Sequence, residues 1–214
     1  MDACRHIRQS ALMRPFAILA VAPLAFLLAA CASGSAVERP DLSAPGRHIA
    51  ALDDLQTRIE AANSATLALD GWCESRGMAP AGAVVADKIA DDLILPSQEI
   101  AGQLAVPAGE QVVVRHVRLR CGSHVLSEAR LWYVPSRMPA EIFTALRTSG
   151  IAFGRAVAPL QFQRRSLGAR RYYREGSLPA VLFDQRALLS LPDGRPLAYV
   201  QEDYLPGVLG TPGD

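Results

Sequence analysis

Two stretches of the sequence each read as a pair of β-strands joined by a tight turn, and they restrict the fold more than any other feature. In the first, VVVRHVRLRC (112–121) and VLSEARLWYV (125–134) flank a glycine-containing loop, which is typical of a hairpin. In the second, VLFDQRALLSL (181–191) and RPLAYVQEDYL (195–205) flank the turn PDG (192–194). Two hairpins predict an antiparallel sheet.

Helical patterns precede these hairpins and separate them. Apolar residues recur at helical spacing from His48 to about Ala68, and a second short helix is expected from Ala65 to Ser75. Between the hairpins, residues 137–148 predict a further helix. Together these elements predict one α+β domain over residues 48–210, in which helices pack on one face of an antiparallel sheet.

The first 30 residues do not belong to this domain. Three arginines precede the apolar run FAILAVAPLAFLLAA, which is followed by Cys31 and several small residues. The pattern resembles a bacterial lipoprotein signal and predicts a signal peptide over residues 1–30, with Cys31 as the lipidated first residue of the mature chain. An ordinary secretory signal and a true start at Met13 are the alternatives. Residues 31–47 predict a flexible tether.

The lipoprotein interpretation also predicts where the protein lies and what it meets. We expect a protein of the bacterial cell envelope, held at the outer membrane by the lipid on Cys31 and facing the periplasm. Removing residues 1–30 takes away three arginines and one aspartate, which leaves 19 basic against 20 acidic side chains and a net charge of −1. So small a net charge gives no general attraction to polyanions, so nucleic acid is not expected among the partners.

Two cysteines, Cys73 and Cys121, remain in the expected domain. In an oxidising compartment they would form a disulfide, but two buried free thiols would look the same in the sequence. The four histidines show no HExxH spacing, and the chain contains no CxxC pair and no glycine-rich phosphate-binding motif. Neither a metal ion nor a cofactor is therefore expected.

Two charged residues fall on the apolar faces of predicted strands. Alternation places Arg115 with Val113 and Val117, and it places Glu202 with Ala198 and Val200. An isolated buried charge is very costly, so each of the two needs a partner. Either they pair with each other or reach solvent at the strand ends, or they line a pocket and bind a small anionic ligand.

An arginine-rich stretch separates the last predicted helix from the second hairpin. It interleaves its arginines with two tyrosines and is typical of a solvated loop, although an anion site is the alternative. The arginines are Arg164, Arg165, Arg170, Arg171 and Arg174.

The segments RHVRLRCGSHVLSEARLWYVP, FGRAV (153–157) and DGRPLAYVQEDYLP occur in the order in which similar segments occur in chorismate lyase. The chain resembles that family, and more broadly the fold it shares with the ligand-sensing domains of certain bacterial transcription regulators. The resemblance implies that Arg115 binds the ring carboxylate of the ligand. It also implies a ligand contact from Phe153-Gly154-Arg155, and it places Glu202 at the ring hydroxyl.

Two functions follow from this resemblance. The first is a lyase that eliminates pyruvate from chorismate to give 4-hydroxybenzoate, with Arg115 and Glu202 as catalytic residues and no cofactor. The second is a non-catalytic envelope lipoprotein that binds a small aromatic carboxylate, or a protein partner, through the same pocket. The interval from Gly194 to Glu202 is one residue longer than the family pattern. Because a slip of one residue exchanges the faces of a strand, Gln201 competes with Glu202 for the inward position unless a bulge absorbs the extra residue.

Overall fold

The computed structural model describes residues 45–174 and 176–210. The predicted signal peptide, most of the tether and the lipidation site at Cys31 lie outside these residues. Within the described part of the chain, none of the helices combines the length and the apolar character needed to span a bilayer.

A six-stranded antiparallel sheet forms the body of the domain, in the order β1-β2-β3-β6-β5-β4. The two predicted hairpins are its centre, because β3 pairs with β6 as well as with β2, its own hairpin partner. The α+β fold class predicted from the sequence is thereby confirmed. The strands are β1 (Val85–Ile94), β2 (Val112–Cys121), β3 (His124–Tyr133), β4 (Gln163–Arg171), β5 (Phe183–Ser190) and β6 (Pro196–Tyr204).

The two edge strands are the part of the sheet that the sequence did not indicate. Each of β1 and β4 carries four charged residues, and most side chains of both strands are half-buried or exposed. Polar, partly exposed edges hinder pairing with other chains, and they also hide the alternation that marks a strand in the sequence. The arginine-rich stretch is thus an edge strand over most of its length, where a solvated loop was expected.

Five helices of the described residues pack around the sheet: α1 (Pro45–Ala61), α2 (Ala65–Ser75), α3 (Gln98–Leu104), α4 (Ala140–Thr148) and α5 (Phe153–Ala156). The first apolar stripe is divided between α1 and α2, because the Ser64 hydroxyl accepts a hydrogen bond from the Leu67 amide and begins a new helix. Ser97 caps α3 in the same way through the Ile100 amide. Three single 3-10 turns follow β3, α5 and β6.

Four of the helices pack on one face of the sheet, which we call the covered face. Leu52, Leu55 and Ile59 of α1 meet the sheet near Val117 and Leu119, whereas α4 and α5 cover the region around Val113 and Leu131. On the opposite face α3 packs against Val112, Leu188 and Tyr199. The predicted packing of helices on one face therefore holds for α1, α2, α4 and α5. Helix α3 was not predicted and lies on the opposite face.

A disulfide joins Cys73 of α2 to Cys121 at the end of β2, with the two Cα atoms 6.3 Å apart. Both cysteines are fully buried. On the same helix the Trp72 indole N–H donates to the Val208 carbonyl over 2.8 Å. A covalent bond and a buried hydrogen bond thus attach α2 to the covered face.

Candidate functional site

A small cavity lies between the covered face and the helices above it. Its floor is formed by β2, β3, β5 and β6, and its roof by the beginning of α2 and by Phe153-Gly154 of α5. The cavity has a volume of about 60 Å³. Most of the wall is apolar, including Val117, Leu131, Phe153, Phe162, Leu189 and Val200.

The roof depends on a close approach between α5 and the start of α2. A Cβ atom on Gly154 would lie 2.4 Å from the Ser64 Oγ and 2.9 Å from the Thr66 Oγ1. Only glycine leaves room for both hydroxyls at this position. Gly154 therefore sets the distance between the two helices that close the cavity.

Glu202 points into the cavity from β6, where it lies between Ala129 of β3 and Gln185 of β5. Its side chain is almost fully buried, with 4% of the residue exposed. The Ser127 hydroxyl donates to its Oε1 over 2.6 Å, and the Tyr204 hydroxyl donates to its Oε2 over 3.0 Å. Burial raises the pKa of Glu202 above its ordinary value, and the two hydroxyl donors only partly oppose this effect.

The competition between Gln201 and Glu202 is decided by a bulge at the start of β6. Leu189 pairs with Ala198 and Ser190 pairs with Pro196, so Leu197 is the extra residue. From Ala198 onward the strand alternates regularly and Glu202 faces inward. Gln201 lies on the opposite face, where its amide N–H donates to the Tyr199 hydroxyl over 3.1 Å.

Two residues of the cavity wall were not assigned to a pocket from the sequence: Gln185 was not singled out, and Arg164 was named only as one of the arginines of the arginine-rich stretch. Arg164 of β4 donates from Nη2 to the Gln185 Oε1 over 2.9 Å and from Nη1 to the Ile59 carbonyl over 3.3 Å. Gln185 is 1% exposed, and its Nε2 has no hydrogen-bond partner in the described part of the chain. Alternation along the strand that contains Phe183, Gln185 and Ala187 would have indicated Gln185, whereas nothing local distinguishes Arg164 from the arginines around it.

Arg115, assigned to the ligand carboxylate by resemblance, does not line the cavity. Its fully buried guanidinium donates to the Leu146 carbonyl and, over 3.3 Å, to the Ile151 carbonyl. Nη1 also lies 3.7 Å from the Asp91 carboxylate on the neighbouring strand. Burial lowers the pKa of Arg115, and the charge of Asp91 opposes that shift. In this arrangement Arg115 ties β2 to β1 and to the end of α4, and its ion-pair partner is Asp91 rather than Glu202.

The Phe153-Gly154-Arg155 segment divides between two roles. Phe153 and Gly154 line the cavity. Arg155 turns away from it, with Nη2 donating to the Asp70 carboxylate over 2.5 Å and Nη1 to the Val84 carbonyl over 3.0 Å. Among the residues that the structure describes, no three His, Cys, Asp or Glu side chains are grouped so that they could hold a metal ion.

Over the described residues, the sheet order and the internal cavity define an α+β domain built on a six-stranded antiparallel sheet. The chain belongs to the family of the uncharacterized protein y4mC from Sinorhizobium fredii, to which it is 38% identical over 183 residues that cover 77% of each protein. No protein-family model matches the chain.

Similarities to solved structures concern the fold. The effector domain of PhnF from Mycobacterium smegmatis aligns over 67% of this chain and 89% of its own, with 13% identity and a TM-score of 0.49. A GntR-family transcriptional regulator from Bacillus cereus aligns over 58% and 93%, with 15% identity and a TM-score of 0.42. The possible transcriptional regulator YydK from Bacillus subtilis aligns over 56% of this chain and 57% of its own, with 18% identity and a TM-score of 0.41.

These similarities correct one expectation about partners. Nucleic acid was excluded because the net charge of the expected mature chain is close to zero. The similar solved structures are described as transcriptional regulators or their effector domains, so charge was not a sufficient ground for that exclusion. The membrane partner, expected through a lipid on Cys31, has no support from these proteins, and Cys31 lies outside the described residues.

Proposed function

We propose that this domain binds a small aromatic carboxylate in the cavity and does not convert it chemically. The observation that carries the proposal is the cavity itself, which combines a largely apolar wall with three polar side chains on neighbouring strands. An apolar body would rest against Phe153, Phe162 and Val200, and polar groups of the ligand would meet Arg164, Gln185 or Glu202. This division of the wall is typical of sites for small organic molecules.

Binding is favoured over lyase activity by the position of the positive charges. Chorismate carries two carboxylates, and a chorismate lyase must orient both while pyruvate leaves. Arg164 is the one cationic side chain on the described cavity wall, since Arg115 is engaged with carbonyl groups and Asp91. A single cation suits a ligand with one carboxylate better than a dianion.

The proposal is tested by calorimetric titration of the full chain with 4-hydroxybenzoate. Ala187 lies on the cavity floor, so Ala187→Leu would fill the space and is expected to lower the affinity at least about tenfold. Arg186→Gln is the matched control, because Arg186 immediately precedes Ala187 in β5 and is exposed on the other face. Absence of binding by the unmodified chain, or equal effects of the two substitutions, would contradict the proposal.

A parallel incubation with chorismate separates binding from turnover. We expect no 4-hydroxybenzoate to form beyond the spontaneous background. Product formation that Glu202→Gln abolishes would instead establish the lyase function implied by the resemblance.

We also propose that the protein works in an oxidising compartment, facing the periplasm in the bacterial cell envelope. The support is the Cys73–Cys121 disulfide, because such bonds persist in exported proteins and are rare in the cytosol. Cells lysed directly into denaturant with an alkylating agent expose every free thiol, and mass spectrometry of the protein should then find Cys73 and Cys121 unmodified. Alkylated Cys73 and Cys121 would contradict the location.

A further inference from the structure

Gln185 presents a buried hydrogen-bond donor that has no acceptor in the described part of the chain. The residue is 1% exposed and lines the cavity, and its Nε2 makes no hydrogen bond. Buried amide groups are nearly always paired, so an unpaired one at a cavity wall indicates that something else provides the acceptor. Rotating the amide by 180° would not solve this, because Oε1 accepts a hydrogen bond from the Arg164 guanidinium over 2.9 Å and the flip would break that bond.

The neighbouring acid does not provide the missing acceptor. Glu202 lies directly across from Gln185 in the β5–β6 register. Its Oε1 already accepts from Ser127 and its Oε2 from Tyr204. The Gln185 Nε2 makes no hydrogen bond to either oxygen, so this donor remains available to a ligand in the cavity that Gln185 lines.

Arg164 adds a positive charge beside this donor. Two of its N–H groups donate to Gln185 and to the Ile59 carbonyl, and an arginine has five such groups. It can therefore donate to a further acceptor while it keeps Gln185 in place. A planar guanidinium beside an amide N–H matches the two oxygens of a carboxylate.

We propose that Gln185 and Arg164 together bind the carboxylate of the ligand. This is the role that the resemblance assigns to Arg115. The inference rests on the proposed function, since it assigns one end of the same ligand. The Gln185 Nε2 donates to one carboxylate oxygen and the Arg164 guanidinium to the other. The apolar body of the ligand then extends from β5 toward Phe153 and Val200, away from the solvent-exposed face of the sheet.

The test compares 4-hydroxybenzoate with its methyl ester, which is similar in shape and has no charge. Calorimetry on the full chain should show tighter binding of the acid. Gln185→Leu removes the donor and should weaken binding of the acid about tenfold to a hundredfold, while binding of the ester changes little. Gln201→Leu makes the same substitution on the opposite face of the adjacent strand and should change neither affinity.

A second variant covers the case in which Gln185→Leu does not fold. Gln185→Glu has nearly the same shape and can still accept from Arg164, but it places a negative charge where the ligand carboxylate is expected, so it should abolish binding of the acid. If the unmodified chain binds neither compound, the proposed function and this inference both fail. If it binds acid and ester equally, or if the acid binds normally to the folded Gln185 variant, this inference alone fails.

Discussion

Gln185 and Glu202 face each other across the β5–β6 pair, and both side chains are buried against the same cavity. Their hydrogen bonds differ in a way that separates their roles. Both oxygens of Glu202 accept from protein hydroxyls, whereas the amide nitrogen of Gln185 has no acceptor in the described part of the chain. Glu202 is thus held in place by Ser127 and Tyr204, and Gln185 is the residue that remains available to a ligand.

The buried carboxyl of Glu202 should make stability depend on pH. Its pKa in the folded protein is raised above the ordinary value of 4.5 because burial disfavours the charged form. Above pH 4.5 the folded state therefore holds more protons than the unfolded state, and the free energy of unfolding falls as pH rises toward the folded pKa. Glu202→Gln should flatten this decline, as measured by urea unfolding between about pH 5 and about pH 8. An unchanged slope in the variant would contradict the assignment.

Gly154 should be intolerant of even a methyl group. Gly154→Ala places a Cβ within 2.4 Å of the Ser64 Oγ, so the start of α2 must move. We expect a loss of about 1–3 kcal/mol in the free energy of unfolding and weaker binding of the probe ligand.

Gly71 provides the control for this substitution. It lies in α2, and a Cβ there meets no atom within 4 Å. Gly71→Ala should stabilise the protein by roughly 0.5–1 kcal/mol, because alanine is the better helix former. Equal destabilisation by both substitutions would show that the contact with Ser64 is not the cause.

The disulfide should contribute strongly to stability. Cys73 and Cys121 are 48 residues apart, and closing a loop of that length in the unfolded chain corresponds to about 4 kcal/mol. The double variant Cys73→Ala/Cys121→Ala should lose stability of this order in chemical unfolding. The unmodified protein in a reducing agent should approach the same value, and a reduced protein as stable as the oxidised one would be the contrary result.

Arg115 should matter for stability and not for ligand affinity. Arg115→Met removes a buried guanidinium that donates hydrogen bonds to the Leu146 and Ile151 carbonyls. It also removes one of the positive charges near the Asp91 carboxylate. We expect a cost of about 3 kcal/mol in the free energy of unfolding. The affinity of the folded variant for 4-hydroxybenzoate, measured by calorimetry, should be unchanged.

Arg118→Met is the matched control on the same strand. Arg118 is exposed on the other face, where it pairs with Glu128 over 3.1 Å, and its loss should cost less than about 1 kcal/mol. A selective loss of ligand affinity in the Arg115 variant would return Arg115 to the role implied by the resemblance.

Local sequence patterns determined the centre of this fold. The alternation of apolar residues in β2, β3, β5 and β6, with turns at Gly122 and Gly194, specifies both hairpins, because strand period and turn type depend only on neighbouring residues. The same alternation placed Glu202 with Val200 on the apolar face. It also places Gln185 on the apolar face of β5, between Phe183 and Ala187, so this residue could have been recognised from the sequence in the same way.

Tertiary structure alone decided which polar side chains meet. Arg115 and Glu202 were equivalent in the sequence, as charges on apolar faces, yet one pairs with Asp91 of β1 and the other faces the cavity. Arg164 looked like its neighbouring arginines until β4 paired with β5 and brought it to Gln185. Periodicity assigns a side chain to a face, but its partner comes from another strand or helix. That choice depends on strand order and on helix packing, which join residues distant in the chain.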